Sequence, residues 1–523
     1  MIYNLSQILE RTAELFPEKD AFKCLDDSIS YEALDAKANQ LASYLLEQGV
    51  RKEDRIGICM NRCLDSSVAI YGILRAGCVF VAIDPFLPLS RKLMIMRDCG
   101  IEHLVTTSTQ SLKIKPILEE ATFLKSIVGL TFPEKANAVS WESIFSRPLH
   151  NWSPPHILEE DLASILYTSG STGVPKGIMH SHHSLLSLAK LEANLHSSTH
   201  EDRIGNFAPL HFDQSLFGYF SGPLVGATTI IFPDSYVKLP ASLSTLAEKE
   251  KITLWFSVPL ILMQVLQYGS LENKDFSSLR WVRFGGEVFP VNHLRELMLQ
   301  WPHVKFINSY GPSEIARCTY YILEKPPATD DPIPLGTVWG NTEYKIVDDK
   351  DQEVTLGGQG ELLVRTATRM VGYWNNETLT EKAFFRFKAA PGHEHIYYRT
   401  GDLVKENERN ELMFLGRIDR QIKLRGYRIE LDEIESVLVK HEQVNEAAVI
   451  VVNRTGKDRE IEAVVRLYDG ANVEASGLIG HCSGSLPSYA VPQTVHIIND
   501  FPRTGTGKID RNEITKWIET SIL

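Results

Sequence analysis

The sequence is poor in cysteine and contains neither a long apolar run nor a signal-like leader. Its seven cysteines are scattered, odd in number and without C-x-x-C spacing. This argues against a disulfide framework and a zinc site and favours a reducing compartment. No stretch approaches the roughly 18 apolar residues of a membrane span, and residues 1–19 lack the apolar core of a signal peptide. We therefore predict a cytoplasmic protein.

Basic residues are fewer than acidic residues. The chain has 54 lysines and arginines against 66 aspartates and glutamates, a formal net charge of −12. Because no lysine- or arginine-rich block offsets this balance, we expect neither nucleic acid nor an anionic membrane as a partner. An acidic protein can still bind a phosphorylated ligand, since such a site needs only local positive potential.

The pattern over the first half predicts an α/β fold. The 523 residues exceed what one compact core accommodates, so at least two domains are expected. Helical and strand-like patterns alternate, with helices predicted at 34–42 and 68–74 and strands at 55–60, 79–83, 103–106, 228–232, 253–257 and 305–307. This alternation is typical of largely parallel sheets.

The second half has a different pattern. From Glu343 onward short strands and turns follow one another, with strands predicted at 344–347, 361–364 and 411–415. Beyond a predicted boundary near 416–420, one helix face and two strands are expected, at Leu431, Ile434, Val437 and Leu438, and at 447–452 and 461–467. We predict a large N-terminal domain, residues 1–417, of parallel-rich α/β subdomains plus a β-rich subdomain. A small α+β domain, residues 418–523, would have its own core.

Residues 167–177, Tyr-Thr-Ser-Gly-Ser-Thr-Gly-Val-Pro-Lys-Gly, are the most informative stretch. They follow the apolar run 163–166 and precede helical spacing at Leu185, Leu186, Leu188 and Ala189, which predicts a loop between a strand and a helix. Glycines let backbone N–H groups approach anionic oxygens, hydroxyls donate further bonds and Lys176 adds positive charge, so the loop suits a polyphosphate. The spacing is not that of an ordinary P-loop, and a solvated linker is the alternative.

Seven further motifs follow this loop along the chain. They are His211-Phe212-Asp213-Gln214-Ser215, Gly285-Gly286-Glu287, Asn308-Ser309-Tyr310-Gly311-Pro312-Ser313-Glu314, Gly360-Glu361-Leu362, Tyr398-Arg399-Thr400-Gly401-Asp402-Leu403, residues 416–430 and residues 502–508. Together with the loop, they resemble the adenylate-forming superfamily of acyl-CoA synthetases, luciferases and peptide-synthetase adenylation domains. The chain is most similar to freestanding amino-acid adenylation domains, and the resemblance covers nearly all of it.

The resemblance implies a reaction and a nucleotide site. A carboxylate attacks the α-phosphate of ATP and releases pyrophosphate, so positioning and charge stabilisation dominate the protein's contribution. The phosphates would be held by Thr168, Ser169, Gly170, Ser171, Thr172, Gly173 and Lys176. The adenosine would be held by Asn308, Ser309, Tyr310, Gly311, Ser313, Asp402, Phe414 and Arg417. Glu314 would bind Mg²⁺, a hard cation that prefers carboxylate and phosphate oxygens.

Individual roles within the nucleotide site follow from the same resemblance. Tyr310 would stack on adenine while Asn308 reads its edge, although Tyr310 could equally be a core aromatic. Asp402 would accept hydrogen bonds from the ribose hydroxyls with Arg417 nearby. Phe414 stands where many relatives carry tyrosine, so any contact from that hydroxyl is absent here.

Two residues of the predicted small domain would control the chemistry. Lys508, in a glycine-flanked loop, would lie between the substrate carboxylate and the α-phosphate and neutralise charge in the transition state, alongside Glu314 and Lys176. Asp419 would be the hinge about which the mobile domain rotates between half-reactions. After rotation, residues 423–430 would face the active site and admit a thiol. The alternative for Lys423 and Arg425 is an exposed basic strand edge.

The substrate pocket is implied by position in the same way. Its residues would be Asp213, Gln214, Phe217, Phe256, Arg283, Gly285, Gly286, Glu287, Arg317 and Cys318. Asp213 would pair with a substrate ammonium, as in amino-acid activating relatives, unless it only caps a helix. If Arg283 or Arg317 faces the cavity, the substrate carries a second carboxylate, as aspartate-like or β-amino acids do. If both arginines pair with protein carboxylates, a small neutral amino acid such as proline remains open.

The expected acceptor is the phosphopantetheine thiol of a separate carrier protein, because no carrier or condensation module is recognisable in the chain. Coenzyme A is the neighbouring alternative, which would make the protein an acyl- or aryl-CoA ligase. A non-catalytic nucleotide sensor is a third hypothesis. The presence of Lys508, Glu314, Asp402 and the complete loop argues against it.

Overall fold

The computed structural model describes residues 2–130, 137–149, 152–170, 174–453, 459–504 and 507–520. The chain folds into two compact units. The larger unit consists of Met1–Pro85, Met96–Tyr167 and Gly177–Ile418, and the smaller unit of Phe86–Ile95, Thr168–Lys176 and Asp419–Leu523.

The helices over these ranges are α1 (Ser6–Leu15), α2 (Tyr31–Glu47), α3 (Asp65–Arg75), α4 (Leu89–Asp98), α5 (Ser111–Glu120), α6 (Trp141–Phe145), α7 (His182–Leu195), α8 (Gly222–Val225), α9 (Asp234–Val237), α10 (Pro240–Lys249), α11 (Pro259–Tyr268), α12 (Val291–Gln300), α13 (Glu377–Ala383), α14 (Leu431–Val439), α15 (Ala475–Ser483) and α16 (Arg511–Glu519). Within the described part of the chain, none of these helices has the length and apolar character needed to cross a bilayer.

The strands of the larger unit and its sheets are β1 (Asp20–Cys24), β2 (Asp27–Ser30), β3 (Arg55–Ile58), β4 (Val79–Ala82), β5 (His103–Val105), β6 (Ser126–Val128), β7 (Ala138–Val139), β8 (Leu162–Thr168), β9 (Lys176–Ser181), β10 (Arg203–Asn206), β11 (Thr228–Ile231), β12 (Leu254–Ser257), β13 (Trp281–Gly285), β14 (Lys305–Tyr310), β15 (Thr319–Leu323), β16 (Thr337–Val338), β17 (Thr342–Val347), β18 (Gln359–Thr366), β19 (Gly372–Tyr373), β20 (Phe384–Ala390), β21 (His393–Glu406) and β22 (Leu412–Arg417).

Two sheets of the larger unit are mainly parallel. One has the order β16-β15-β14-β13-β12-β10-β11-β1-β2. Strand β1 and strands β10 to β14 run parallel to one another, whereas β15 is antiparallel to β14, β16 to β15 and β2 to β1. The other has the order β19-β9-β8-β4-β3-β5-β6-β7. Strands β4, β11 and β12 are buried at every position, as expected of parallel strands covered on both faces. The predicted α/β class is confirmed.

The predicted β-rich part is the third sheet, which begins after Gly340. Its order is β17-β18-β21-β20, and β22 pairs with β21. All its pairings are antiparallel. The register of β21 with β22 sets Asp402 directly opposite Arg417. This sheet therefore fixes two residues of the predicted nucleotide site relative to one another.

The helix predicted at 34–42 lies within α2, which begins after Ser30 because that hydroxyl accepts the N–H of Ala33 at 3.2 Å. The helical spacing predicted after the glycine-rich loop, at 185–189, lies within α7, but a strand that was not predicted comes between the loop and this helix. Strand β9 follows the loop, and α7 begins only after Ser181, whose hydroxyl caps it through Ser184 N–H. Strand β9 is stabilised by pairing with β19, a distant segment that local spacing does not reveal.

The smaller unit is an α+β fold with its own core. Its strands are β23 (Gln421–Leu424), β24 (Tyr427–Glu430), β25 (Val444–Val452), β26 (Glu460–Leu467) and β27 (Thr494–Ile498). Strands β23 and β24 form a hairpin, and β25, β26 and β27 form a separate sheet. Helix α14 packs its buried face, including Ile434 and Leu438, into a core shared with Val449 and Ile461, as the sequence predicts.

Candidate functional site

Three residues predicted to bind adenosine meet around one carboxylate. Tyr310, at the end of β14, donates its hydroxyl hydrogen to Asp402 Oδ2, and Arg417 Nη1 donates to Asp402 Oδ1 at 2.6 Å. Asp402 is only 2% exposed, and the guanidinium offsets the cost of burying its charge. Burial and the neighbouring carboxylate raise the pKa of Tyr310, so the phenol stays protonated and remains a donor.

The segment that leads to Tyr310 is held by backbone contacts. Asn308 Nδ2 donates to Pro334 O at 2.8 Å. The buried Ser309 Oγ has no hydrogen-bond partner among the described residues. Gly311 is required, because a Cβ there would stand 2.5 Å from Ala316 O. Phe414 packs against the core cluster that contains Tyr310.

Glu314 is fully buried at the end of the same segment. Its Oε1 accepts the hydroxyl hydrogen of Tyr373 at 2.7 Å, and its backbone carbonyl accepts Met370 N–H at 2.7 Å. In the described ranges no group of three or more histidine, cysteine or acidic residues could hold a metal alone. Mg²⁺ typically takes one or two carboxylates and completes its shell with water and phosphate oxygens, so a single carboxylate fits that ion.

His180 supports the turn that carries Glu314. Its Nε2 lies 2.9 Å from Ser313 O and its Nδ1 lies 3.2 Å from Ser184 Oγ. Burial lowers the pKa of His180, which favours the neutral ring, and an Nε2–H tautomer would donate to Ser313 O. Neither His180 nor Tyr373 was identified from the sequence, because each reaches the site from the other parallel sheet, on strands β9 and β19.

The glycine-rich loop lies in the smaller unit. Ser169 Oγ donates to Arg428 O at 2.9 Å, and Lys176 Nζ lies 4.0 Å from Glu430 Oε1. A Cβ at Gly170 would stand 2.1 Å from Val174 O, so the turn requires glycine. The predicted phosphate ligands Ser171, Thr172 and Gly173 lie outside the described residues, and Thr168 Oγ1 is buried without a partner in the described part.

Lys508 is exposed in a tight turn of the smaller unit. Thr504 N–H donates to Lys508 O at 2.8 Å, and Gly507 has a φ of +81°, a conformation that glycine adopts readily. The turn therefore presents the ammonium group to solvent on a segment outside the regular elements.

Asp419 lies between residues anchored in different units. Ile418 N–H donates to Gly401 O of the larger unit at 2.9 Å. Arg420, in the smaller unit, donates to Glu435 Oε1 at 2.9 Å and Val449 O at 2.7 Å. Asp419 is thus the first residue of the chain's passage into the smaller unit, and its role as a hinge stays a prediction.

The predicted amine-binding carboxylate is paired with a predicted pocket residue. Asp213 opens a short 3₁₀ turn, Asp213–Ser215. Its side chain does not cap this turn, and its Oδ2 accepts from Arg317 Nη1 at 2.9 Å. Both side chains are mostly buried, at 13% and 10% exposure. Asp213 therefore acts as an ion-pair partner of Arg317, and the alternative that it caps a helix is not supported.

Arg283 is buried in a second ion pair among aromatic rings. Its Nη2 lies 2.8 Å from Glu192 Oε1, and its guanidinium carbon lies 4.1 Å from the Phe256 ring centroid and 5.7 Å from that of Phe217. Burial, with a contribution from Arg317, lowers the pKa of Arg283 to about 10 although Glu192 opposes the shift. Arg283 therefore remains charged at neutral pH, and both arginines have protein carboxylates as partners.

The other predicted pocket residues have several local roles. Gly285 is required, since a Cβ there would stand 2.2 Å from Ser309 O, and Gly286 has a φ of +94°. Glu287 Oε1 accepts Leu260 N–H at 3.3 Å, at the start of α11. Cys318 is buried, with Sγ 3.6 Å from Tyr310 O. Gln214 lies beside Asp213 in the 3₁₀ turn.

Glu192 and Trp339 complete the pocket region but were not identified from the sequence. Glu192 lies on the buried side of α7, one turn beyond Leu188 and Ala189. An acidic residue at that helical position is a usable signal, because buried carboxylates need partners. Trp339 offers no comparable signal, since it follows a two-residue strand.

His196 beside Glu192 supplies a prediction about pH. Burial and the charge of Arg283 lower the pKa of His196 to about 3. Because this is below the unfolded value of about 6.5, protons bind the unfolded state more readily, and stability falls as pH decreases from 6.5 toward 3. Between pH 6.5 and 5 this residue should lower the free energy of unfolding by about 1.6 kcal/mol, measurable by urea titration.

His196→Gln should remove about that part of the pH dependence, because glutamine does not titrate. The exposed His156 is the matched control, and His156→Gln should retain the original slope. An equal slope in the wild type and His196→Gln would contradict the assignment.

Comparison with known proteins adds independent findings. The family described as AMP-binding enzyme matches residues 9–374, and the AMP-binding enzyme C-terminal domain matches residues 433–508. The chain is 32% identical over 508 residues to an L-proline--[L-prolyl-carrier protein] ligase of Pseudomonas fluorescens, covering 96% of this chain and 97% of the ligase. It is 32% identical to tyrocidine synthase 1 of Brevibacillus parabrevis, covering 98% of this chain but 45% of the synthase.

Solved structures share the fold. The amide bond synthetase McbA from Marinactinospora thermotolerans superposes with a TM-score of 0.85 at 21% identity, covering 98% of this chain and 99% of McbA. An artificially fused adenylation-PCP di-domain from Klebsiella oxytoca gives a TM-score of 0.78 at 21% identity, covering 94% and 93%. These likenesses concern the arrangement of helices and strands.

Proposed function

The chain belongs to the family of AMP-binding enzymes, and we propose on that basis that it activates an amino acid with ATP and loads it onto a carrier protein. Release of pyrophosphate leaves an aminoacyl adenylate, and the phosphopantetheine thiol of a separate carrier protein then takes the aminoacyl group. The amino acid--carrier protein ligase that matches over nearly its whole length supports this activity. One structural observation carries the site: Tyr310, on the segment that ends at Glu314, forms one hydrogen-bonded group with Asp402 and Arg417 of strands β21 and β22.

The nucleotide site would use these residues as follows. Tyr310 lies against adenine, Asp402 accepts from the ribose hydroxyls and Arg417 keeps that carboxylate oriented. The loop 168–176 holds the β- and γ-phosphates through its hydroxyls, its backbone N–H groups and Lys176. Glu314 would hold Mg²⁺, which neutralises phosphate charge when bound.

In the chemical step the protein aligns the substrate carboxylate with the α-phosphate of ATP and stabilises the charge that develops there. An oxygen of the substrate carboxylate bonds to the α-phosphorus, the bond to the β-phosphate oxygen breaks and pyrophosphate leaves. Lys508 would neutralise the charge that develops at this centre. In the second half-reaction the carrier thiol loses its proton, sulfur bonds to the acyl carbon, and AMP leaves with the former carboxylate oxygen. Rotation of the smaller unit about Asp419 would separate the two steps.

The proposed location is the cytoplasm. None of the seven cysteines, all of which lie in the described ranges, forms a disulfide. Burial raises the pKa of several thiols, to about 12 for Cys63 and Cys78. Stable buried thiols are typical of a reducing compartment.

Asp402→Asn should lower kcat/KM for ATP on the order of 10- to 100-fold, because a charged hydrogen-bond acceptor for the ribose is lost and Arg417 loses its ion pair. Initial rates of pyrophosphate exchange at varied ATP concentration measure this change. Asp348→Asn, at an exposed turn of the same unit, is the control and should leave kcat/KM unchanged. Equal values for Asp402→Asn and the wild type would contradict the ribose assignment.

Two assays test the proposed function together. Amino-acid-dependent exchange of labelled pyrophosphate into ATP tests adenylation, using a panel of amino, aryl and fatty acids. Transfer of a labelled aminoacyl group to a phosphopantetheinylated carrier protein or to coenzyme A then identifies the acceptor. We expect exchange with an amino acid and transfer to the carrier. Exchange with fatty or aryl acids alone, or transfer to coenzyme A alone, would support an acyl- or aryl-CoA ligase instead.

A further inference from the structure

The charges around the predicted amine site already balance one another. Asp213 is paired with Arg317 at 2.9 Å, and Glu192 with Arg283 at 2.8 Å. The pairs are close neighbours, because both guanidinium carbons lie over the Phe256 ring, at 4.1 and 5.2 Å from its centroid. These four charged side chains therefore carry no net charge.

An ordinary amino acid brings an uncompensated charge into such a pocket. Its reacting carboxylate loses its charge on becoming a mixed anhydride, whereas its ammonium stays charged. A lone aspartate would balance that ammonium, but Arg317 already neutralises Asp213. Since an unbalanced charge in a water-poor site is costly, the aminoacyl group needs one more negative charge, and the substrate is its most direct source.

Buried donors without partners indicate where that negative charge would lie. Arg283 is 1% exposed and Trp339 is 3% exposed. Among the described residues, Arg283 Nε and Nη1 and Trp339 Nε1 have no hydrogen-bond partner, and the guanidinium carbon lies 5.7 Å from the Trp339 ring centroid. Glu192 does not satisfy them, since its Oε1 contacts Nη2 and its Oε2 accepts from Ser221 at 2.9 Å.

Such donors are informative because buried N–H groups nearly always have acceptors. An unpaired N–H of a guanidinium is suited to a carboxylate oxygen, which it binds through a charge-assisted hydrogen bond. The indole N–H of Trp339 is a further buried donor in the same region. A carboxylate at this place would accept from one of these donors and supply the missing charge.

We infer that the substrate is an amino acid with a second carboxylate, of the aspartate or glutamate class. Its ammonium lies at Asp213 and its second carboxylate at Arg283 and Trp339. Arg317 contributes to specificity as a positioning residue, because it cancels the charge of Asp213. The inference rests on the proposed function and adds to it the class of amino acid.

Matched acids separate this inference from the proposed function. Pyrophosphate exchange is measured with the full chain and ATP, using aspartate, asparagine and succinate as one series and glutamate, glutamine and glutarate as another. Each series keeps the carbon skeleton while removing the second negative charge or the ammonium. We expect kcat/KM for the amino diacid to exceed that for its amide on the order of 10²-fold or more.

The other outcomes have distinct meanings. Equal or faster exchange with asparagine, glutamine or a neutral amino acid such as proline would overturn the inference and leave the proposed function intact. Exchange only with acids that lack an ammonium, or with no acid at all, would overturn the proposed function and the inference with it.

Two variants test the roles assigned to Arg317 and Trp339 and replace each side chain with one of comparable shape. Arg317→Gln keeps a donor for Asp213 but removes the charge, so aspartate-over-asparagine selectivity should fall at least about tenfold, because Asp213 can then balance an ammonium alone. Trp339→Phe keeps an aromatic ring, although a smaller one, and removes Nε1. It should lower kcat/KM for the diacid about 10- to 100-fold, with a smaller effect on the amide.

The control is Arg386→Gln, at an exposed arginine of the larger unit, which should leave selectivity unchanged. Stabilisation of each variant by ATP, measured as a shift in thermal unfolding, verifies that the nucleotide site is folded. Unchanged selectivity in both Arg317→Gln and Trp339→Phe, with ATP stabilisation retained, would overturn the inference.

Discussion

Replacing Lys508 with alanine is expected to lower the rate of adenylate formation on the order of 10²- to 10³-fold. The ammonium would stabilise charge that builds between the attacking carboxylate and the α-phosphate, and water replaces it poorly in a closed site. Lys508 is exposed in the turn that carries it, so its loss should leave the fold intact. Single-turnover formation of the aminoacyl adenylate from ATP measures the effect directly.

The second half-reaction provides the internal comparison for Lys508→Ala. Transfer from a supplied aminoacyl adenylate to the carrier thiol should stay close to the wild-type rate, because bond formation at the α-phosphate is bypassed. Lys516→Ala, at an exposed lysine of α16 in the same unit, is the matched control for adenylation. If Lys508→Ala and Lys516→Ala formed the adenylate equally fast, Lys508 would have no catalytic role.

Arg283→Met is expected to lower the free energy of unfolding of the larger unit by about 3–5 kcal/mol. Glu192 is 2% exposed, and loss of the guanidinium would leave its carboxylate buried without its direct ion-pair partner. The three aromatic rings around Arg283 cannot replace that charge. Chemical denaturation followed by tryptophan fluorescence measures the loss.

A double variant shows how much of the lost stability comes from the unpaired charge of Glu192 and how much from the loss of packing. Arg283→Met combined with Glu192→Gln removes both charges and should recover most of the lost stability, because well-packed neutral side chains often replace a buried pair at little cost. Arg386→Met, at a surface ion pair with 42% exposure, should cost less than about 1 kcal/mol. A double variant no more stable than Arg283→Met would show that the cost does not come from Glu192.

The parts of the fold set by local pattern were predictable from the sequence. Strands such as β4 and β12 are uniformly apolar because both faces of a parallel sheet are covered. Helix α14 was predicted because its apolar residues recur at helical spacing. Motif order identified Tyr310, Asp402 and Arg417, which the structure brings together around one carboxylate.

Features that depend on distant partners were not predictable in this way. Strand β9 exists through its pairing with β19, so local spacing did not indicate this strand between the loop and α7. Tyr373 reaches Glu314 from that same edge strand. The pairing of Asp213 with Arg317 joins residues that are far apart in the chain. The sequence named both residues for the pocket but left open whether they face the substrate or one another.

The two ion pairs give the predicted pocket residues partners within the protein. From the sequence, Asp213 was predicted to bind the substrate ammonium. The two arginines were expected either to bind a second substrate carboxylate or to pair with protein carboxylates. In the structure, Arg317 cancels Asp213, and Arg283 has a protein partner while retaining unpaired donors. Selectivity therefore depends on the charge balance of the whole cluster, which substitution of any single member would alter.

The fate of the substrate carboxylate oxygens shows whether the reaction passes through an aminoacyl adenylate. The enzyme is given ATP, a phosphopantetheinylated carrier protein and its amino acid labelled with ¹⁸O in the reacting carboxylate, and the AMP is analysed by mass spectrometry. We expect one ¹⁸O atom in the phosphate of each AMP and none in pyrophosphate. Loaded carrier accompanied by unlabelled AMP would contradict it, because the amino acid would then not have passed through an adenylate.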